Sequence, residues 1–90
     1  MIDVEKKSSK EFLVTVSEKD GRTEHAVTLE DGYHENLTEG KITKEELIKR
    51  SFEFLLEREP KESILSKFDL TIISNYFPEF EAKISSNLKK

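Results

Sequence analysis

From Glu11 to Ser17 the chain alternates with period two: Phe12, Val14 and Val16 fall on one side, Leu13, Thr15 and Ser17 on the other. This is the pattern of a strand with one buried face. A second alternation puts His25, Val27 and Leu29 on one face against Glu24, Ala26 and Thr28. Asp20-Gly21 lies between them and predicts a type I′ hairpin turn, because both central residues of that turn need positive φ. With those two residues as the loop, Val16 faces His25, Val14 faces Val27 and Phe12 faces Leu29, so the apolar faces coincide.

Beyond Glu30-Asp31-Gly32, Tyr33 and Leu37 at i, i+4 suggest one helical turn before Gly40. Thr43-Lys44-Glu45-Glu46 reads as a capping box, with Ile42 and Leu47 placed as a hydrophobic staple. Glu45 with Lys49 and Glu46 with Arg50 add i, i+4 pairs in the favourable order. On a helical wheel Phe54, Leu47, Ser51, Leu55, Ile48, Phe52 and Leu56 span about 200°. A two-stranded sheet covers only part of that arc, so later segments are expected to cover the rest.

Pro60 ends this helix, as proline lacks the amide and restricts the residue before it. Ile64, Leu65 and Phe68 predict a short helix over about residues 61–68. Leu70, Ile72, Ile73, Tyr76 and Phe77 share one arc and predict another, with Asp69 as N-cap. Pro78 opens a last helix carrying Phe80, Ile84 and Leu88.

The expected fold is therefore α+β: an N-terminal antiparallel β-hairpin, a central amphipathic helix and two or three short C-terminal helices (β-β-α-α-α). Polar Lys6-Lys7-Ser8-Ser9-Lys10 leaves residues 1–10 as a flexible terminus or short edge strand. Residues 11–88 form one globular domain.

Composition changes this picture little. Hydrophobic residues make up 34% of the 90 positions and charged residues 38%, a balance that leans towards disorder unless the apolar residues are periodic, as they are. The net charge of −4 is built from interleaved signs, so no broad cationic face is implied. The absence of cysteine removes disulfides, thiolate nucleophiles and sulfur-based zinc sites. Met1 to Lys7 lacks the apolar core of a signal peptide and no run approaches membrane-spanning length, so a cytoplasmic protein is expected.

Candidate chemistry is sparse. His25 reads as a covered structural histidine, and His34, beside Asp31 and Glu35, lacks the spacing of a metal motif. Fifteen glutamates make carboxylate pairs uninformative, and nearly all lie on polar faces. No nucleophile elbow or glycine-rich phosphate loop is present, so neither an enzyme nor a cofactor is expected. Lys6, Lys7, Lys10, Lys19 and Arg22 could track phosphate, but Glu5, Glu11, Glu18 and Glu24 interrupt them, and Lys89-Lys90 is a charged terminus.

Two surfaces remain for a protein partner or for self-association. One is the strand edge around Phe12, Leu13 and Val14. The other is the aromatic group Tyr76, Phe77 and Phe80. The leading expectation is a non-catalytic interaction or regulatory module. A nucleic-acid-associated protein using the Lys-rich N-terminal strand is the alternative.

The run from Phe52 to Leu65, with Phe68-Asp69-Leu70 and Tyr76-Phe77-Pro78-Glu79, resembles a group of short uncharacterised prokaryotic proteins over about residues 11–84. The resemblance implies no activity, cofactor or functional residue. The opening β-β-α order is also similar to ubiquitin-like folds, but the pattern lacks the later strands these require, and that analogy is set aside for fold and function.

Overall fold

The computed structural model describes residues 1–88. Ile2–Lys6 (β1), Glu11–Glu18 (β2) and Gly21–Thr28 (β3) form an antiparallel meander, which continues into Asp31–Thr38 (α1) and Lys44–Leu56 (α2). A single 3-10 turn at Lys61–Ser63 leads into Lys67–Asp69 (β4), then Ile72–Tyr76 (α3) and Phe80–Leu88 (α4). The sheet order is β1-β2-β3-β4, with β4 parallel to β3. The protein is thus α+β, with a four-stranded mixed sheet and four helices.

The hairpin pairs in a different register from the one expected. Val14 faces His25 rather than Val27, and Phe12 faces Val27. The loop is Lys19-Asp20, closed by Glu18 opposite Gly21. Among the described non-glycine residues only Glu39 has positive φ, so Asp20 does not take the type I′ conformation, and the left-handed position falls on Gly21 at φ 131°. Moving the loop by one residue lets glycine alone carry that cost. The pairing moves by two residues, which keeps every side chain on its expected face.

Phe12, Val14, Val16, His25 and Val27 are buried beneath the helices, while Glu11, Glu24 and Ala26 on the opposite face are exposed. Helix α2 lies at the centre of the core. Its Phe52 ring meets His25 at 5.3 Å and Phe68 at 6.0 Å on the sheet side. Its Phe54 meets Phe77 at 5.8 Å and Phe80 at 5.2 Å on the C-terminal side. The wide apolar arc is therefore divided between sheet and C-terminal helices. Arg58 closes that side with its guanidinium 3.6 Å from the Phe54 ring centre.

The helix starts as a half capping box. Thr43 Oγ1 accepts from the Glu46 amide at 3.1 Å, but Glu46 turns forward and accepts from Arg50 Nε at 2.9 Å. Helix α1 is longer than the single turn expected. It ends where Glu39 and Gly40 both adopt positive φ.

Three further expectations are corrected. No helix spans residues 61–68: the chain makes one 3-10 turn and then the parallel strand β4, whose three residues are too few to display a period. The N-cap of α3 is Thr71, and Asp69 instead accepts from the Thr71 amide at 3.1 Å. One later strand, β4, does follow the helices, although not the several that ubiquitin-like folds require. Among the described residues no helix is long and apolar enough to cross a membrane.

Candidate functional site

A largely apolar hollow of the surface lies where the C-terminal end of α2, the 3-10 turn, β4 and α3 meet. It is a groove of about 350 Å³, open to solvent, with Leu55, Ile64, Phe68, Ile73 and Phe77 among its walls. Its volume is at the low end for ligand-sized sites. Leu65 and Tyr76, which also line it, are 47% and 67% exposed, two of the three exposed large hydrophobic residues among those described. Glu59 is the sole charged residue in the lining. A second hollow, of about 400 Å³ between α2 and α4, is mainly polar, walled by Arg50, Glu53, Glu57, Lys83 and Asn87 around Phe54 and Ile84.

The groove is built on fixed supports. Buried His25 contacts the Leu65 carbonyl oxygen through Nδ1 at 2.8 Å and Thr23 Oγ1 through Nε2 at 2.8 Å. A carbonyl only accepts, so Nδ1 carries the hydrogen and donates. At the end of β4, Asp69 accepts from the Thr28 hydroxyl at 2.6 Å and the Thr71 hydroxyl at 2.5 Å, joining β3, β4 and the start of α3. Burial pushes the Asp69 carboxyl up, but these hydroxyls and the Thr71 amide outweigh it and hold it below its ordinary value.

Before the groove, Lys61 is buried at 2% exposure, and its ammonium reaches Asp20 at 2.7 Å, Glu62 at 2.9 Å and Glu18 at 3.2 Å. This pins the hairpin tip to the 3-10 turn. The hydrogen bonds that it donates to Asp20 and Glu62, against the opposing effect of burial, push the lysine above its ordinary value. Lys61 in turn lowers both carboxyls, Asp20 and Glu62. Tyr33 donates to Glu81 at 2.8 Å, and burial, followed by that carboxylate, pushes its hydroxyl well up.

The six expected surface residues separate. Tyr76 and half-buried Phe77 line the groove, whereas Phe80 is fully buried beneath α2. Phe12 and Val14 are also buried, and Leu13 is half-buried on the outer sheet face. Their strand has no free edge, because β1 pairs with one side of β2 and β3 with the other. The sheet edges are β1 and β4.

The basic residues are not gathered either. Lys6, Lys7 and Lys10 lie at one end of β2, and Lys19 and Arg22 at the other, about 23 Å away for an eight-residue strand. Lys7 pairs with Glu5 and Lys10 with Glu30. Lys89 and Lys90 lie outside the described residues.

His34 Nε2 lies 2.7 Å from the Ile42 carbonyl oxygen, while Asp31 pairs with Lys44. Among the described residues no group of three His, Cys, Asp or Glu side chains is arranged to hold a metal ion. No family model, curated protein or solved structure matches the chain.

Sequence reasoning reached Tyr76 and Phe77 but missed Glu59, Leu65 and Phe68. Leu65 and Phe68 read in the sequence as one helical face, whereas Phe68 lies on β4 and Leu65 in the loop before it, and the parallel pairing of β4 brings both to the groove.

Proposed function

We propose that the chain is a non-catalytic protein-interaction module that docks a partner segment in the groove between α2, β4 and α3. The observation that carries this reading is the position of Leu65 and Tyr76. Large apolar side chains left exposed beside an apolar hollow lose free energy to water that a partner recovers by covering them. Aromatic anchors of this kind dominate binding energy at protein interfaces.

The test is selection of a random displayed-peptide library on the wild-type protein and, in parallel, on a Leu65→Ser/Tyr76→Ser variant. Sequences enriched on the wild type and lost on the variant support the reading. Enrichment of the same sequences on both proteins, or on neither, rejects the groove as the docking site.

A further inference from the structure

We infer that the segment held in the groove is an extended one that adds to β4 as a fifth strand, with a large apolar residue and a Lys or Arg two positions along. The inference rests on the groove being the docking site and specifies what enters it.

The backbone supplies the first half. Strand β4 ends the sheet, and its junction with β3 runs through Ser66, whose carbonyl accepts from Ala26, and Leu70, whose amide donates to the Thr28 carbonyl. In a parallel ladder alternate residues face the neighbouring strand, so Lys67 and Asp69 direct their peptide groups outward. Phe68 faces inward, opposite Val27, and lines the groove. A strand laid along β4, about 4.8 Å away, therefore places its own inward side chain over the groove beside Phe68.

Charge supplies the second half. Half-buried Glu59 makes no ion pair among the described residues. The neighbouring cations are already engaged: Arg58 by Glu57 and Glu79, Lys61 by Glu18, Asp20 and Glu62. Lys67 is exposed, but it belongs to the outer sheet face, opposite the groove. The groove therefore presents an apolar floor with one uncompensated carboxylate, which favours a cation and disfavours an acid. Because strand side chains alternate, a cation two positions from the apolar anchor reaches the same side, and one at the adjacent position does not.

The experiment is titration of isotope-labelled protein, followed by amide NMR, with four synthetic Thr-rich peptides. These carry Phe-Thr-Lys, Phe-Thr-Glu, Phe-Lys-Thr, and Phe-Thr-Lys with alternate amides N-methylated. The Phe-Thr-Lys peptide is expected to shift the amides of Leu65, Phe68 and Tyr76, and to bind about tenfold tighter than each of the other three. Glu59→Gln is expected to remove the preference for Lys over Glu while leaving the spectrum of the free protein intact elsewhere.

Equal binding of Lys and Glu peptides at the groove overturns the cation, and undiminished binding of the methylated peptide overturns strand addition. Either result leaves the docking site itself standing. Shifts of the same amides with protein concentration alone would place a second copy in the groove and overturn the inference. The library selection, which does not depend on charge or on strand geometry, tests the underlying reading separately.

Discussion

His25 on β3 and Leu65, forty positions later, are joined by a hydrogen bond of 2.8 Å from the imidazole Nδ1 to the Leu65 carbonyl oxygen. The other ring nitrogen meets the Thr23 hydroxyl, and the ring face packs against Phe52. One histidine thus ties the sheet to the rim of the groove.

His25→Ala leaves a buried gap beside Phe52 and an unpaired carbonyl, for an expected cost of about 2–4 kcal/mol. Thr23→Val removes one hydrogen bond and should cost about 1 kcal/mol. Urea denaturation of the two variants measures both. Equal effects would mean that the Leu65 contact adds nothing.

Lys61 predicts an acid-sensitive hairpin tip. Asp20 and Glu62 have folded pKa values lowered first by their hydrogen bonds to Lys61, so their contribution is present above the ordinary carboxylate range of about 4 and is lost as pH falls through the depressed folded values. Lys61 has a raised value, so its contribution is complete below about pH 10 and fades as pH rises through its folded pKa. In Lys61→Met the loss of stability on acidification should be shallower than in the wild type. Denaturation midpoints measured from neutral to acid pH decide it, and parallel curves for the two proteins would refute it.

The hairpin shows how far the sequence was legible. Period-two alternation identified which residues of β2 and β3 face the core, because burial controls the pattern. It did not distinguish registers two residues apart, since both put Val14 and Val27 inside. The turn decided between them, and its Asp-Gly signal misled because one glycine suits a loop at Lys19-Asp20 as well. Strand β4 was illegible for a different reason: Lys67 to Asp69 carries no period of its own and is a strand only because β3 lies beside it. As Leu65, Phe68 and Glu59 meet through that pairing, the groove was hidden with it, and only its aromatic wall at Tyr76 and Phe77 was visible.

The turn geometry gives a prediction of sign. If Asp20 occupied a type I′ position, Asp20→Gly would relieve positive φ and stabilise the protein. In the observed loop Asp20 has no positive φ and it pairs with Lys61, so the substitution should destabilise. Gly21→Ala should cost about 1–2 kcal/mol, because its backbone lies where a side chain is strained. Thermal denaturation of both variants reads the signs, and cross-strand NOEs between Val14 and His25 check the register.

At the start of α2 the half capping box separates two residues that a full box would couple. Thr43→Ala should cost about 1 kcal/mol through the lost bond to the Glu46 amide. Glu46→Ala should cost only about 0.3 kcal/mol, since its carboxylate serves the partly exposed pair with Arg50 and not the Thr43 amide. Comparable losses, with strong coupling in the double mutant, would restore the reciprocal box.

The aromatic run from Tyr76 to Phe80 holds a surface residue and a core residue four positions apart, and stability should expose the difference. Phe80 is fully buried against Phe54, so Phe80→Ala removes a whole ring from the junction of α2 and α4 and should cost about 3–5 kcal/mol. Tyr76→Ser changes a side chain that is 67% exposed at the groove rim, and should stay within about 0.5 kcal/mol of the wild type. Phe77→Ala should fall between them, because its half-buried ring packs edge-on to Phe54 while also lining the groove. A Tyr76 substitution as damaging as that of Phe80 would mean that the rim is part of the core's support. The groove would then lose the exposed anchor on which its reading as a docking surface depends.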